Sequence, residues 1–214
     1  MSRVVNLEVM EVILASDSPR RKQLLGWLVP EFKAVSHQVD EEAVEADNPE
    51  ELAGQLAIDK AMSVLVPAEG IVIGSDLIVA TKDMIVSKPK DLVQAREYLQ
   101  KLSGKTHLVY CGVAVAAKDK VLMSVARSRV TMKNYDEKII DQYIKQFEVL
   151  DKGGAYAIQF ELPGYGSLVE KFDGGITTII GLPLDYLVNL LKEFGVVVNP
   201  DWPKRCKIET GYEY

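Results

Sequence analysis

Apolar and polar positions along the chain switch between a strand rhythm and a helix rhythm. Val12–Ser16 is a short apolar run that reads as a buried strand. Ser18 and Pro19 follow as a cap and first helical residue, and Leu24, Leu25 and Leu28 form an apolar face. Phe32–Ser36 reads as a second strand, and residues 38–47 as an acidic loop. Asn48-Pro49-Glu50-Glu51 opens a helix with a cap, a proline and two acids facing the positive end of its dipole. Leu52, Leu56, Ile58, Met62 and Leu65 are its apolar residues.

Ile71–Ala80 is almost continuously apolar and predicts a strand, with Met84–Val86 returning after Lys82-Asp83. Asp91 caps a helix through Leu102, which Gly104 ends. Leu108–Ala117 and Val121–Met132 predict a long hairpin around residues 118–120. Residues 136–147 form a helix with Ile139, Ile140, Tyr143, Ile144 and Phe147 inward. Residues 167–172 read as a strand, and residues 183–194 as the last helix, stopped by Gly195. Residues 199–214 have no clear period and read as a surface tail. Alternating strands and helices make this an α/β chain.

Composition narrows the classes. With 214 residues, 48% of them hydrophobic, the chain can bury a sizeable core. A formal net charge of -6 without a basic tract argues against duplex nucleic-acid binding. No apolar run approaches the roughly 18–20 residues that span a bilayer, and the first ten residues lack a secretory apolar stretch. Two histidines and two cysteines make a structural zinc site a poor expectation. Cys111 sits in an apolar run and reads as a buried free thiol. These features point to a cytoplasmic protein.

Five segments carry candidate chemistry. In Ser16-Asp17-Ser18-Pro19-Arg20-Arg21 a strand feeds a helix N-terminus, whose free N–H groups favour an anion. Two arginines in a first turn oppose the helix dipole unless they face a negative ligand or a carboxylate; the alternative is a pair of solvated side chains. Val39-Asp40-Glu41-Glu42 is either solvated acidic surface or a source of oxygen ligands. Asp76 interrupts Ile71-Val72-Ile73 and Leu77-Ile78-Val79, and an unpaired carboxylate there would be expensive. Lys88-Pro89, with Lys60 on its helix, adds cations, and Gly153-Gly154 lets the backbone approach a ligand. A P-loop and a G-x-S-x-G elbow are both missing.

In order, these pieces resemble the Maf family of nucleoside-triphosphate pyrophosphatases. Leu14–Arg21 with Leu24-Leu25 is similar to its opening signature, and Val39-Asp40-Glu41 follows at the expected distance. Asp59-Lys60-Ala61 is similar to the family's Glu-Lys-Ala, and Gly74-Ser75-Asp76 to its Gly-Ala-Asp. Lys88-Pro89 with Asp91, then residues 102–107, residues 150–159 and Gly181-Leu182-Pro183 stay in register. The resemblance runs roughly from Ile13 to Gly195.

The resemblance implies an inosine-triphosphate-pyrophosphatase-like fold: an elongated mixed sheet flanked by helices, with two lobes and a central cleft. Residues 1–10 would be an extension, 11–198 one catalytic domain and 199–214 a tail. It implies hydrolysis of a nucleoside triphosphate between the α and β phosphates, with Mg²⁺ or Mn²⁺, by a homodimer. Asp76 would be the general base and Glu41 its companion, both able to hold the metal. Ser16, Ser18, Arg20, Arg21, Lys60, Lys88 and Gln159 would bind the substrate. Replacing Asp76 by Asn is expected to abolish turnover and to keep or raise stability, by relieving repulsion with Glu41.

Arg20 and Gln159 resemble members acting on dTTP and UTP, whereas Ser75 and Leu77 depart from that group. Phe160-Glu161 and residues 174–178 also depart from the pattern. The other readings are a 7-methyl-GTP pyrophosphatase of the same family and a nucleotide-binding regulator with little catalysis. Such a regulator would have no need of Asp76 beside Glu41.

Overall fold

The computed structural model describes residues 10–65 and 70–213. Most of the expected extension, residues 1–9, lies outside the described residues. The elements are β1 (Val12–Leu14), α1 (Pro19–Leu28), β2 (Lys33–Ala34), α2 (Pro49–Val64), β3 (Ile71–Ala80), β4 (Ile85–Val86), α3 (Leu92–Leu102), β5 (Thr106–Ala117), β6 (Lys120–Met132), α4 (Glu137–Gln146), β7 (Glu161–Leu162), β8 (Gly166–Ser167), β9 (Val169–Asp173), α5 (Ile176–Ile180), α6 (Leu184–Glu193) and α7 (Trp202–Thr210).

One sheet runs β2-β1-β3-β5-β6-β9, with β4 also on β3. β1 pairs in parallel with β2 and β3; the pairs from β3 to β9 are antiparallel. The expected mixed sheet flanked by helices is therefore present. The caps act locally as their residue types require: Asn48, Asp91 and Asp136 each accept the backbone N–H three residues on.

The main core lies on one face of the sheet, under α1, α3, α4, α6 and α7. The other face is covered by α2, and the contact is unusually close. A Cβ at Gly74 would lie 2.1 Å from the Ala57 carbonyl oxygen, and one at Gly112 would lie 2.0 Å from that of Ala53. Glycine at both positions lets the helix backbone rest on β3 and β5. Ala53, Ala57 and Ala61, four residues apart, form the helix side of this seam.

Two expectations need correction, and one helix was not foreseen. Residues 167–172 are not one strand. Gly166–Ser167 pairs with β7 in a small hairpin, and the chain crosses at buried Leu168 before β9 joins the main sheet. Residues 174–178 include the start of the short helix α5, whose five residues are all buried. Residues 199–214 are not a surface tail, and α6 is not the last helix. Asn199 donates its N–H to Leu28 O at 2.9 Å and its side-chain amide to Trp27 O at 3.2 Å, satisfying carbonyls at the end of α1. Proline then opens α7, and its Trp202 and Cys206, at i and i+4, enter the main core.

Candidate active site

Beside β3 lies a cleft of about 1020 Å³. Ser16, Ser18, Arg20, Arg21, Glu41, Lys60, Asp76, Lys88 and Gln159 all line it. Segments far apart in sequence are brought together by the β1–α1 turn, a short 3-10 turn at Glu41–Ala43, α2 and β3.

Lys60 forms the centre. The close seat of α2 buries this lysine to 1% exposure, one residue before Ala61. Asp76 shares the face of β3 that carries Gly74, since side chains two residues apart point the same way. The Lys60 ammonium therefore meets Asp76 Oδ1 at 2.5 Å and Glu41 Oε1 at 2.7 Å. Asp76 is 4% exposed, and the charge that keeps it there is Lys60, with Arg21 Nη2 at 3.8 Å. The two carboxylates do not repel across an open gap, because a cation lies between them. The repulsion on which the expectation of equal or higher stability for Asp76→Asn rested is therefore not what holds this pair. Lys60, expected as a phosphate contact, lines the cleft with its ammonium on the two acids.

Burial pushes the Glu41 carboxyl upward, but Lys60, Lys88 and His37 outweigh that and hold it below the ordinary value. His37 Nε2 lies 3.7 Å from Glu41 Oε1. Burial and the Lys60 charge lower the imidazole pKa.

The two arginines are not solvated surface, and they are not equivalent. Arg21 points inward, donating from Nε to Gly181 O at 2.9 Å and from Nη1 to Ser16 Oγ at 3.4 Å. Arg20 lies at the rim, paired with Asp151 Oδ2 at 3.0 Å, and both side chains reach solvent. Asp151 also holds Lys152. Burial raises the Asp151 carboxyl and these two cations lower it, leaving it below its usual value. Lys88 Nζ lies 3.8 Å from Glu41 Oε2 with a largely exposed side chain.

Ser16 and Ser18 shape the turn. The Ser18 hydroxyl accepts from Arg21 N, and Ser16 Oγ accepts from Ser18 N at 3.2 Å. Gln159 is exposed at the cleft wall. Sequence reasoning assigned no role to His37, Asp151 or the Gly181 carbonyl. Asp151 and Gly181 stood inside matched motifs, but their partners lie 131 and 160 residues away, and nothing local signals His37.

The donor set suits a hard divalent cation. Two carboxylates converge in a cleft lined with cations, and Mg²⁺-type ions are commonly held by one or two carboxylates plus substrate phosphates. Among the described residues no three His, Cys, Asp or Glu side chains cluster as ligands, so Glu41 and Asp76 would share such an ion with the phosphates.

Known proteins with similar sequences cover most of the chain. A dTTP/UTP pyrophosphatase of Bacillus cereus is 41% identical over 191 residues, covering 88% of this chain and 98% of that protein. One from Bacillus anthracis is 40% identical with the same coverage. The structure of the Staphylococcus aureus Ham1 protein matches with a TM-score of 0.47 and 14% identity, over 86% of this chain and 97% of that one. The family model described as Maf-like protein matches residues 11–194, and the chain belongs to that family.

Proposed function

We propose that this chain hydrolyses a nucleoside triphosphate to the nucleoside monophosphate and pyrophosphate, with dTTP and UTP as preferred substrates. The observation that carries the reaction class is the Glu41–Lys60–Asp76 cluster on the floor of a cleft lined by inward Arg21 and rimmed by Arg20 and Lys88. The names of the curated relatives support the pyrimidine preference.

A triphosphate brings about four negative charges, and the rim supplies the planar guanidinium of Arg20 and the exposed ammonium of Lys88 to meet them. Arg20 is placed to exchange Asp151 for a phosphate oxygen. Both ion pairs of Asp76 run through Oδ1, which leaves Oδ2 to accept a proton from water. The water oxygen bonds to the α-phosphorus as the α–β bridging bond breaks, and pyrophosphate leaves with the released electron pair. Lys60 orients Asp76 through Oδ1 without blocking that oxygen. A divalent cation shared by Glu41, Asp76 and the phosphates would supply charge neutralisation and lower the pKa of bound water. Most of the work asked of the protein is positioning and electrostatics.

Two buried free cysteines, Cys111 and Cys206, support a reducing, cytoplasmic setting. No helix among the described residues is long and apolar enough to cross a membrane. A homodimer is the assembly that the family resemblance supports, and gel filtration with light scattering checks it.

The function is tested by incubating the protein with Mn²⁺ and a panel of triphosphates that includes 7-methyl-GTP, then identifying the products. Pyrophosphate and monophosphate are expected, fastest from dTTP or UTP. Orthophosphate as the sole primary product would refute the reaction, and a clear preference for 7-methyl-GTP would refute the base assignment.

A further inference from the structure

We infer that Ser75, which does not line the cleft, is a positioning residue for the reaction: through the Gly181 carbonyl it fixes the Arg21 guanidinium beside Asp76. The inference rests on the pyrophosphatase reading above.

Ser75 precedes Asp76 on β3, so its side chain points to the opposite face of the sheet. It is fully buried, and a hydroxyl in such a place needs partners. The Ser75 hydroxyl lies 2.7 Å from Gly112 O on β5 and 3.1 Å from Gly181 O. Cys111 Sγ is 3.6 Å from Ser75 Oγ. The thiol can donate to Ser75 Oγ, while the single hydroxyl proton is shared by the two carbonyls.

Gly181 is the junction. It ends α5 with φ +123°, a conformation that an L side chain rarely adopts, and its N–H is tied to Thr177 O at 3.0 Å. Its carbonyl receives Arg21 Nε at 2.9 Å as well as Ser75. Arg21 then reaches Ser16 Oγ and Asp76 with its other two nitrogens. A path therefore runs from β5 through Ser75 and Gly181 to the guanidinium, and from there to the carboxylate assigned as the base. Without the hydroxyl, the Gly181 turn loses this tie to the sheet, and the carbonyl that orients Arg21 is freer to move. The same geometry removes Ser75 as a direct reader of the nucleotide base.

Alanine is the common residue at this place in the signature that the chain resembles, so Ser75→Ala is compatible with folding. The test is a double-mutant cycle on kcat/KM for dTTP with wild type, Ser75→Ala, Arg21→Lys and the double variant. Lysine keeps the charge at position 21 but lacks the Nε–H that reaches Gly181. Ser75→Ala is expected to lower kcat/KM about fivefold. In the Arg21→Lys background the same change should have almost no further effect.

Additive losses, or an unchanged kcat/KM in Ser75→Ala, would overturn the proposal. So would a lower melting temperature with normal kcat/KM, which marks a purely structural hydroxyl. If Arg21→Lys falls below the assay floor, calorimetric affinity for inorganic triphosphate completes the cycle with the same criterion. That arm also separates the two readings. Wild type releasing no pyrophosphate would refute the function, while non-additive triphosphate affinity would still support the Ser75–Arg21 coupling.

Discussion

Asp76→Asn isolates charge from shape at the centre of the site. The change removes one negative charge from a lysine that is 1% exposed and held at 2.5 Å by Asp76 and 2.7 Å by Glu41. Removing one partner of a buried charge costs more than the pair was worth, because the other charge stays behind. Here Glu41 remains, and the asparagine carbonyl still accepts a hydrogen bond from Lys60. The loss is therefore nearer one charged hydrogen bond, about 2 kcal/mol. For a chain of this size that lowers the melting temperature by about 4–8 °C. Turnover should fall by about 100- to 10,000-fold, the range of general-base assistance. The assays are pyrophosphate release and thermal melting, each with and without Mn²⁺. A folded variant that melts at or above the wild-type temperature would refute the bridging role of Lys60. Near-normal turnover would show that Asp76 is structural and move the base to Glu41.

The remaining predictions sample the rim, the acid limb and the last helix. Arg20→Ala and Lys88→Ala should each lower kcat/KM at least about tenfold with little change in melting, since each loses a charged contact to phosphate; steady-state kinetics decides, and two silent variants would refute the phosphate assignment. Burial lowers the His107 pKa to about 4, and its ring meets Tyr156 Oη at 2.7 Å. A depressed folded pKa gives stability that is complete above the unfolded value near 6.5 and is lost as pH falls from there toward 4, by about 3 kcal/mol. Urea titrations from pH 7 to 4 should show this slope in wild type and a flatter one in His107→Gln. Trp202→Ala should destabilise by about 3–5 kcal/mol, whereas a dangling tail would leave the denaturation midpoint unchanged.

What could be read from the sequence is what local chemistry decides. Asn48, Asp91 and Asp136 announce helices because a cap needs only its own first turn. β3 is legible because its apolar run is rich in β-branched isoleucine and valine. α7 escaped because its composition is mostly polar and charged, and only Trp202 and Cys206 form its buried side. Two apolar positions one turn apart are too few to establish a helical period. α5 was obscured by the preceding glycines and by β-branched residues, and tertiary burial of all five positions overrides that weak propensity.

The site shows the same division more sharply. Its residues could be named in advance because each stands in a recognisable motif, and all nine line one cleft. Their relations could not be, because distance between segments is set by packing. The bridge at Lys60 exists because α2 rests on the sheet, and that seat depends on Gly74 and Gly112, which carry no chemistry of their own. A methyl group at either position would push the helix away by more than the slack in a 2.5 Å ion pair, and Asp76 and Glu41 would lose the cation that lets them lie together. A position remote from any substrate atom thus controls whether two acids share a buried lysine or repel one another. Ser75 reaches Arg21 by the same logic from the opposite face of β3. The strand carries its acid on one side and the support for its arginine on the other, so catalytic geometry and core packing are set by consecutive residues.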